Sequence, residues 1–149
     1  MENNEIEILL IEDNPYEAEL TIRSLKMHNL ANKLMHIDDG EEAMRFLFSK
    51  ERGIKRPFNP KLILLDLQLP KVSGLEILKE LRKNEGTRLI PVVILTSSRE
   101  EKDIIESYQL GVNSYIVKPV NFESFSAAIS ELGFYWLILN QAPVLVYEK

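Results

Sequence analysis

Short apolar blocks alternate with amphipathic stretches along this chain. IEILLI (6–11), KLMHI (33–37), LILL (62–65), PVVILT (91–96) and NSYIVK (113–118) read as strands. Nearly unbroken apolar runs mark strands covered on both faces, whereas half-buried strands alternate apolar and polar positions. Between them lie five helical patterns. The first opens at Asn14-Pro15, where proline suits the first turn and Asn14 is a plausible cap. It carries Ala18, Ile22 and Leu25 at helical spacing. Residues 41–49 turn Ala43, Phe46 and Leu47 inward, and residues 74–83 group Leu75, Leu78 and Leu81 on one side. Residues 99–109 and 122–132 are the fourth and fifth helices. Two prolines and a glycine make 51–61 a connecting loop. Five strands alternating with five helices form a βα repeat, hence an α/β fold with a parallel sheet covered on both faces.

Function in such sheets gathers beyond the carboxyl ends of the strands. Four of the five ends carry chemistry: Glu12 with Asp13, then Asp66, Thr96 and Lys118. The second strand ends in Ile37 and an Asp38-Asp39-Gly40 turn, which reads as structural. Three carboxylates meeting at one edge repel one another strongly. A hard divalent cation relieves this, and oxygen ligands with room for water suit Mg2+. Lys118 offers Asp66 a positive partner, and Thr96 adds a hydroxyl. Carboxylate nucleophile, metal, ammonium and hydroxyl together make a phosphoryl-transfer site. Each residue has a plainer reading: a strand-end Asp is often a cap, Lys118-Pro119 a turn, Thr96 a β-branched strand residue. Their occurrence in order at four separate strand ends favours the functional one.

Composition narrows the field. The chain has 149 residues, enough for one domain with a full core, and is 45% hydrophobic and 28% charged. With no cysteine, disulfides, thiolate metal sites and thiol nucleophiles are excluded. A net charge of -5 argues against general nucleic-acid binding. The basic stretch 50–56, with Lys61 nearby, reads as a solvated loop. The acidic N-terminus is unlike a secretory signal and no apolar run reaches membrane-spanning length, so a cytoplasmic location without membrane association is expected.

LLIEDN (9–14), LILLDLQLPKVSG (62–74), PVVILTSS (91–98) and LGVNSYIVKPV (110–120) resemble a response-regulator receiver domain of two-component signalling. The resemblance runs from about Ile6 to Leu132. It implies a flavodoxin-like (βα)5 doubly wound sheet of strand order 2-1-3-4-5, with Asp66 as phospho-acceptor and Glu12 and Asp13 holding Mg2+. It also implies Thr96 as the hydroxyl switch, Lys118 as the phosphate-binding lysine, and a cis peptide before Pro119. Tyr115 matches the aromatic switch position, the Gln68 backbone carbonyl the metal shell, and Gly74 the glycine of the loop after the acceptor. Glu12 stands where Asp is commoner, which leaves open whether it meets the metal directly or through water. The chain is most like the standalone regulators of bacterial phytochromes, on Glu12, the 51–61 loop, SYQLGVNSYIVKPV (107–120) and the aromatic FYWLI (134–138).

That resemblance implies a sensor histidine kinase as donor, with a phytochrome as candidate, and a downstream partner protein. His28, at a helix end, and His36, in a strand, are not credible phosphodonors. A receiver at 1–133 is expected, followed by a mostly apolar extension at 134–149, too short for an output domain. The extension either folds back on its own domain or makes a dimer contact, and homodimerisation is the favoured reading. Two further hypotheses compete. An aspartate-nucleophile phosphatase needs a second Asp two residues after the nucleophile, and Gln68 stands there. A phosphorylation-independent interaction module would leave the intact acceptor set without a purpose.

Overall fold

Parallel strands cannot be joined by tight turns, and here a helix crosses over between each strand and the next. The computed structural model describes residues 6–48, 60–118, 121–141 and 143. Most of the expected 51–61 loop, the basic stretch at 50–56, Pro119 with its expected cis peptide, and residues 142 and 144–149 of the extension lie outside the described residues. The strands are β1 (Ile8–Ile11), β2 (Leu34–Ile37), β3 (Leu62–Leu65), β4 (Val92–Thr96) and β5 (Ser114–Val117). The helices are α1 (Pro15–Lys26), α2 (Gly40–Phe48), α3 (Gly74–Lys83), α4 (Glu101–Gln109) and α5 (Phe122–Phe134). All strand pairs are parallel and the order is β2-β1-β3-β4-β5, the doubly wound arrangement expected.

Every residue of β1, β3 and β4 is buried. Successive side chains go to opposite faces and build two cores. Leu9, Ile11, Ile63, Leu65, Val92 and Ile94 face α2 and α3. Ile8, Leu10, Leu62, Leu64, Val93 and Leu95 face α1 and α5. Each fully buried leucine or isoleucine contributes about 1.5–3 kcal/mol, so the three central strands are the rigid part of the molecule. In α1 the inward positions are Ala18, Thr21, Ser24 and Leu25, and Ile22 is only partly covered. Thr21 and Ser24 tolerate burial because their hydroxyls donate to the Glu17 and Leu20 carbonyls.

The guanidinium of Arg82 ties the end of α3 to two loops. Its Nε donates to the Gly111 carbonyl (2.9 Å), Nη1 to that of Ile90 (2.9 Å) and Nη2 to Asn113 Oδ1 (3.0 Å). The same Asn113 oxygen accepts from the Val92 amide (2.8 Å), so the entries to β4 and β5 are held together.

Two ends differ from the pattern-based bounds. Helix α4 starts at Glu101 because Ser98 and Glu100 form a turn, with the Glu100 amide donating to Ser98 Oγ (3.3 Å). Helix α5 runs past Leu132 to Phe134 and continues through a π-helical turn, Tyr135–Leu139. Within it Leu137 is buried and Trp136 packs on the α1–α5 core, while Tyr135, Ile138 and Leu139, like Phe134 just before them, stay exposed.

Gly74 bears directly on the chain just after β3. Its amide donates to the Leu67 carbonyl (3.0 Å), and an added Cβ would lie 2.2 Å from the Asp66 carbonyl oxygen. Both partners are backbone, so no rotamer relieves the clash. Gly74→Ala is expected to lower unfolding free energy by about 1–3 kcal/mol. Urea denaturation checks this, and an unchanged midpoint would refute it.

Candidate functional site

Register brings the candidate residues to one edge. Ile11 pairs with both Ile37 and Leu65, so Glu12 and Asp66 are the next residues out on adjacent strands. The Asp66 amide donates to the Ile11 carbonyl (3.0 Å), continuing the ladder into the site. Thr96 pairs with Val117, and the Lys118 amide donates to the Thr96 carbonyl (2.8 Å).

Glu12 is 2% exposed and Asp66 7%; Asp13 is more open than either. One carboxylate oxygen from each of Glu12, Asp13 and Asp66 falls within 4.8 Å of the others. Two carboxylates about 4 Å apart repel by about 4 kcal/mol at an effective dielectric of about 20. Lys118 is the cation in contact with them: its Nζ lies 2.9 Å from Glu12 Oε1 and 3.6 Å from Asp66 Oδ2. Its side chain is only 8% exposed. One ammonium cannot balance this set, and an oxygen-only donor group suits a hard divalent cation.

Burial pushes the Glu12 carboxyl up; the Lys118 hydrogen bond opposes that and the Asp66 charge adds to it, giving about 7. Burial alone would pull Lys118 down. Hydrogen bonds to Glu17 and Glu12, with the charge of Asp66, outweigh it and hold the ammonium above the usual lysine value.

The lysine is therefore shared rather than paired with Asp66 alone, and its third partner, Glu17, was missed in the sequence. Glu17 sits in the first turn of α1, its amide capped by Asn14 Oδ1 (3.0 Å). The available signal was its position one turn after Glu12-Asp13, where an acidic residue also suits the helix dipole. Gln68 meets the site through its backbone N–H, which donates to Asp66 Oδ1 (3.3 Å). Thr96 is fully buried, and its Oγ1 accepts from the Ser98 amide (3.3 Å). Tyr115 is half-buried, and its hydroxyl donates to the Ser98 carbonyl (3.1 Å). Ser98 thus links the two expected switch residues, and its Oγ reaches Asp103 Oδ2 (2.6 Å) on α4. His36 Nε2 donates to the Glu12 carbonyl (2.8 Å), and His28 Nδ1 to that of Ser24 (3.2 Å), local roles for both histidines.

The family model of the response regulator receiver domain matches residues 8–130. The chain belongs to the response-regulator receiver family. Among curated relatives, this receiver is 39% identical over 130 residues to response regulator Rcp1 of Synechocystis sp., covering 87% of this chain and 88% of Rcp1. It is 38% identical over 136 residues to the "Probable methanogenesis regulatory protein FilR2" of Methanothrix harundinacea, covering 91% and 86%. The Mn2+-bound structure of Rcp1 superposes with a TM-score of 0.81 at 38% identity, covering 91% of this chain and 97% of that one. The phosphorylated cyanobacterial phytochrome response regulator RcpA gives 0.83 at 35% identity, covering 93% and 99%. The receiver is thus homologous to phytochrome response regulators, and proteins of its kind are phospho-acceptor switches served by histidine kinases. Among the described residues no helix is long and apolar enough to cross a membrane.

A Glu12 carboxyl held near 7 binds its proton more tightly folded than unfolded. Its contribution to metal-free stability should therefore fall as pH rises from about 4.5 to 7. Thermal unfolding with a chelator between pH 5 and 8 reads this as a slope that Glu12→Gln flattens. Equal slopes in the two proteins would contradict it.

Proposed function

We infer that this receiver takes a phosphoryl group from a histidine kinase onto Asp66 and switches conformation to signal to a partner protein. The observation that carries the reading is the joint placement of Glu12, Asp13, Asp66 and Lys118 at one sheet edge within a receiver fold. A carboxylate oxygen of Asp66 attacks phosphorus in line. The P–N bond of the donor phosphohistidine breaks as the O–P bond forms, and the imidazole leaves with the electron pair. Lys118 supplies a hydrogen-bonding cation to the transferred oxygens, and Thr96 a hydroxyl. Mg2+, held by Glu12, Asp13 and Asp66 with the Gln68 backbone carbonyl, would neutralise charge developing on those oxygens. In this reading the domain catalyses its own phosphorylation and slow dephosphorylation, and does no other chemistry.

Phosphorylation adds charge and acceptor oxygens where Thr96 and Lys118 can close on them. Thr96 and Tyr115 act together in this proposal through the Ser98 backbone they share. As Thr96 turns to the phosphoryl group, Tyr115 moves inward and the 98–103 segment repositions α4, a population shift between two arrangements. The setting is read as cytoplasmic, with a phytochrome as candidate kinase on the strength of the Rcp1 and RcpA likeness. Phosphotransfer profiling against the kinases of the source organism is expected to favour one carrying a light-sensing module, and another preference would count against that link.

A second copy of the chain is proposed to cover Phe134, Tyr135, Ile138 and Leu139, which stand exposed together at the end of α5. Multi-angle light scattering should give a two-chain mass for wild type and a one-chain mass for Ile138→Glu. A wild-type monomer with and without phosphorylation would refute the dimer.

The acceptor assignment is tested with acetyl phosphate and Mg2+, followed by intact-mass spectrometry. One added phosphoryl group is expected in wild type and none in Asp66→Asn. An adduct persisting in the variant would move the acceptor elsewhere, and none in wild type would favour a pure binding module.

A further inference from the structure

Among the described residues four carboxylates meet at this edge, and of these Glu17 stands outside the cluster that could share a cation. It belongs to α1 rather than to a strand end, yet it contacts Lys118 directly. Lys118 Nζ is hydrogen-bonded to Glu12 and Glu17, whereas its 3.6 Å separation from Asp66 is an ion pair only. In the resting arrangement the lysine therefore leans toward β1 and α1, away from the candidate acceptor. A cation seated among Glu12, Asp13 and Asp66 would draw on the Glu12 carboxylate and loosen its hold on the ammonium, leaving Glu17 as the anion still competing for it.

We propose that Glu17 is a positioning residue that holds Lys118 back from Asp66, so that a phosphoryl group must win the ammonium from it. This rests on the acceptor reading above. Exposure makes the device reversible. The Glu17 side chain is 36% exposed and can return to water when the lysine leaves, whereas Glu12 at 2% cannot. A partly exposed pair is worth modest free energy and is weakened by salt. Glu17 therefore sets a small threshold on phosphoryl binding that responds to ionic strength.

The test uses the full chain with saturating Mg2+ and beryllofluoride, a mimic of the acyl phosphate, followed by calorimetric titration. Glu17→Gln is expected to bind the mimic roughly two- to fivefold more tightly than wild type at low salt. Raising the salt should narrow that gap, because screening weakens the pair only where it exists. Glu17→Asp, which keeps the charge on a shorter stem, should fall between the two. Unchanged or weaker binding by Glu17→Gln, or a gap indifferent to salt, would overturn the proposal. A merely structural Glu17 would instead lower the melting temperature and weaken binding in both variants. Wild type that fails to bind the mimic at all would bring down the acceptor assignment itself, and the proposal with it.

Discussion

The site depends on one ammonium group shared among three carboxylates. Lys118 reaches Glu12, Glu17 and Asp66 from the end of β5, two strands away from β3. Without it, two nearly buried carboxylates would face each other uncompensated, at a cost of several kcal/mol. With it, the cluster is tolerable but still short of positive charge. That shortfall suits the oxygen-only edge to a divalent cation, and the proposed exchange of partners draws on the closeness of the competing anions. In that proposal stability and switching draw on the same charge.

Rigidity elsewhere makes such a balance possible. The fully buried runs of β1, β3 and β4 fix the sheet from both sides, and the parallel register carries that precision to Glu12, Asp66 and Thr96. Gly74 lets the chain after Asp66 double back on itself, its amide meeting the Leu67 carbonyl. Arg82 binds the loops that feed β4 and β5, at the opposite edge of the sheet from the site. The parts able to move are those with lighter packing: half-buried β5 with Tyr115, and α4, which buries only Ser107.

The strand-end chemistry was legible in the sequence because a parallel sheet converts linear order into position. Once 62–65 reads as a doubly covered strand, Asp66 must emerge at its carboxyl end, and the same holds for Glu12 and Thr96. What stayed hidden depends on how elements rotate against one another. Glu17 reaches Lys118 only because α1 turns that side of its first turn toward β5. Ser98 connects Thr96 and Tyr115 through backbone atoms, which no residue type announces. The sequence leaves the extension either folded back on its own domain or making a dimer contact; its π-helical turn buries Leu137 and leaves Ile138 and Leu139 in solvent.

Lys118 is proposed to change partners when Asp66 is phosphorylated. A crystal structure of the Mg2+ and beryllofluoride complex tests it most directly. Nζ is expected to leave Glu12 and Glu17 and to hydrogen-bond a fluorine on the Asp66 adduct. An adduct on Asp66 with Lys118 still seated between Glu12 and Glu17 would contradict it.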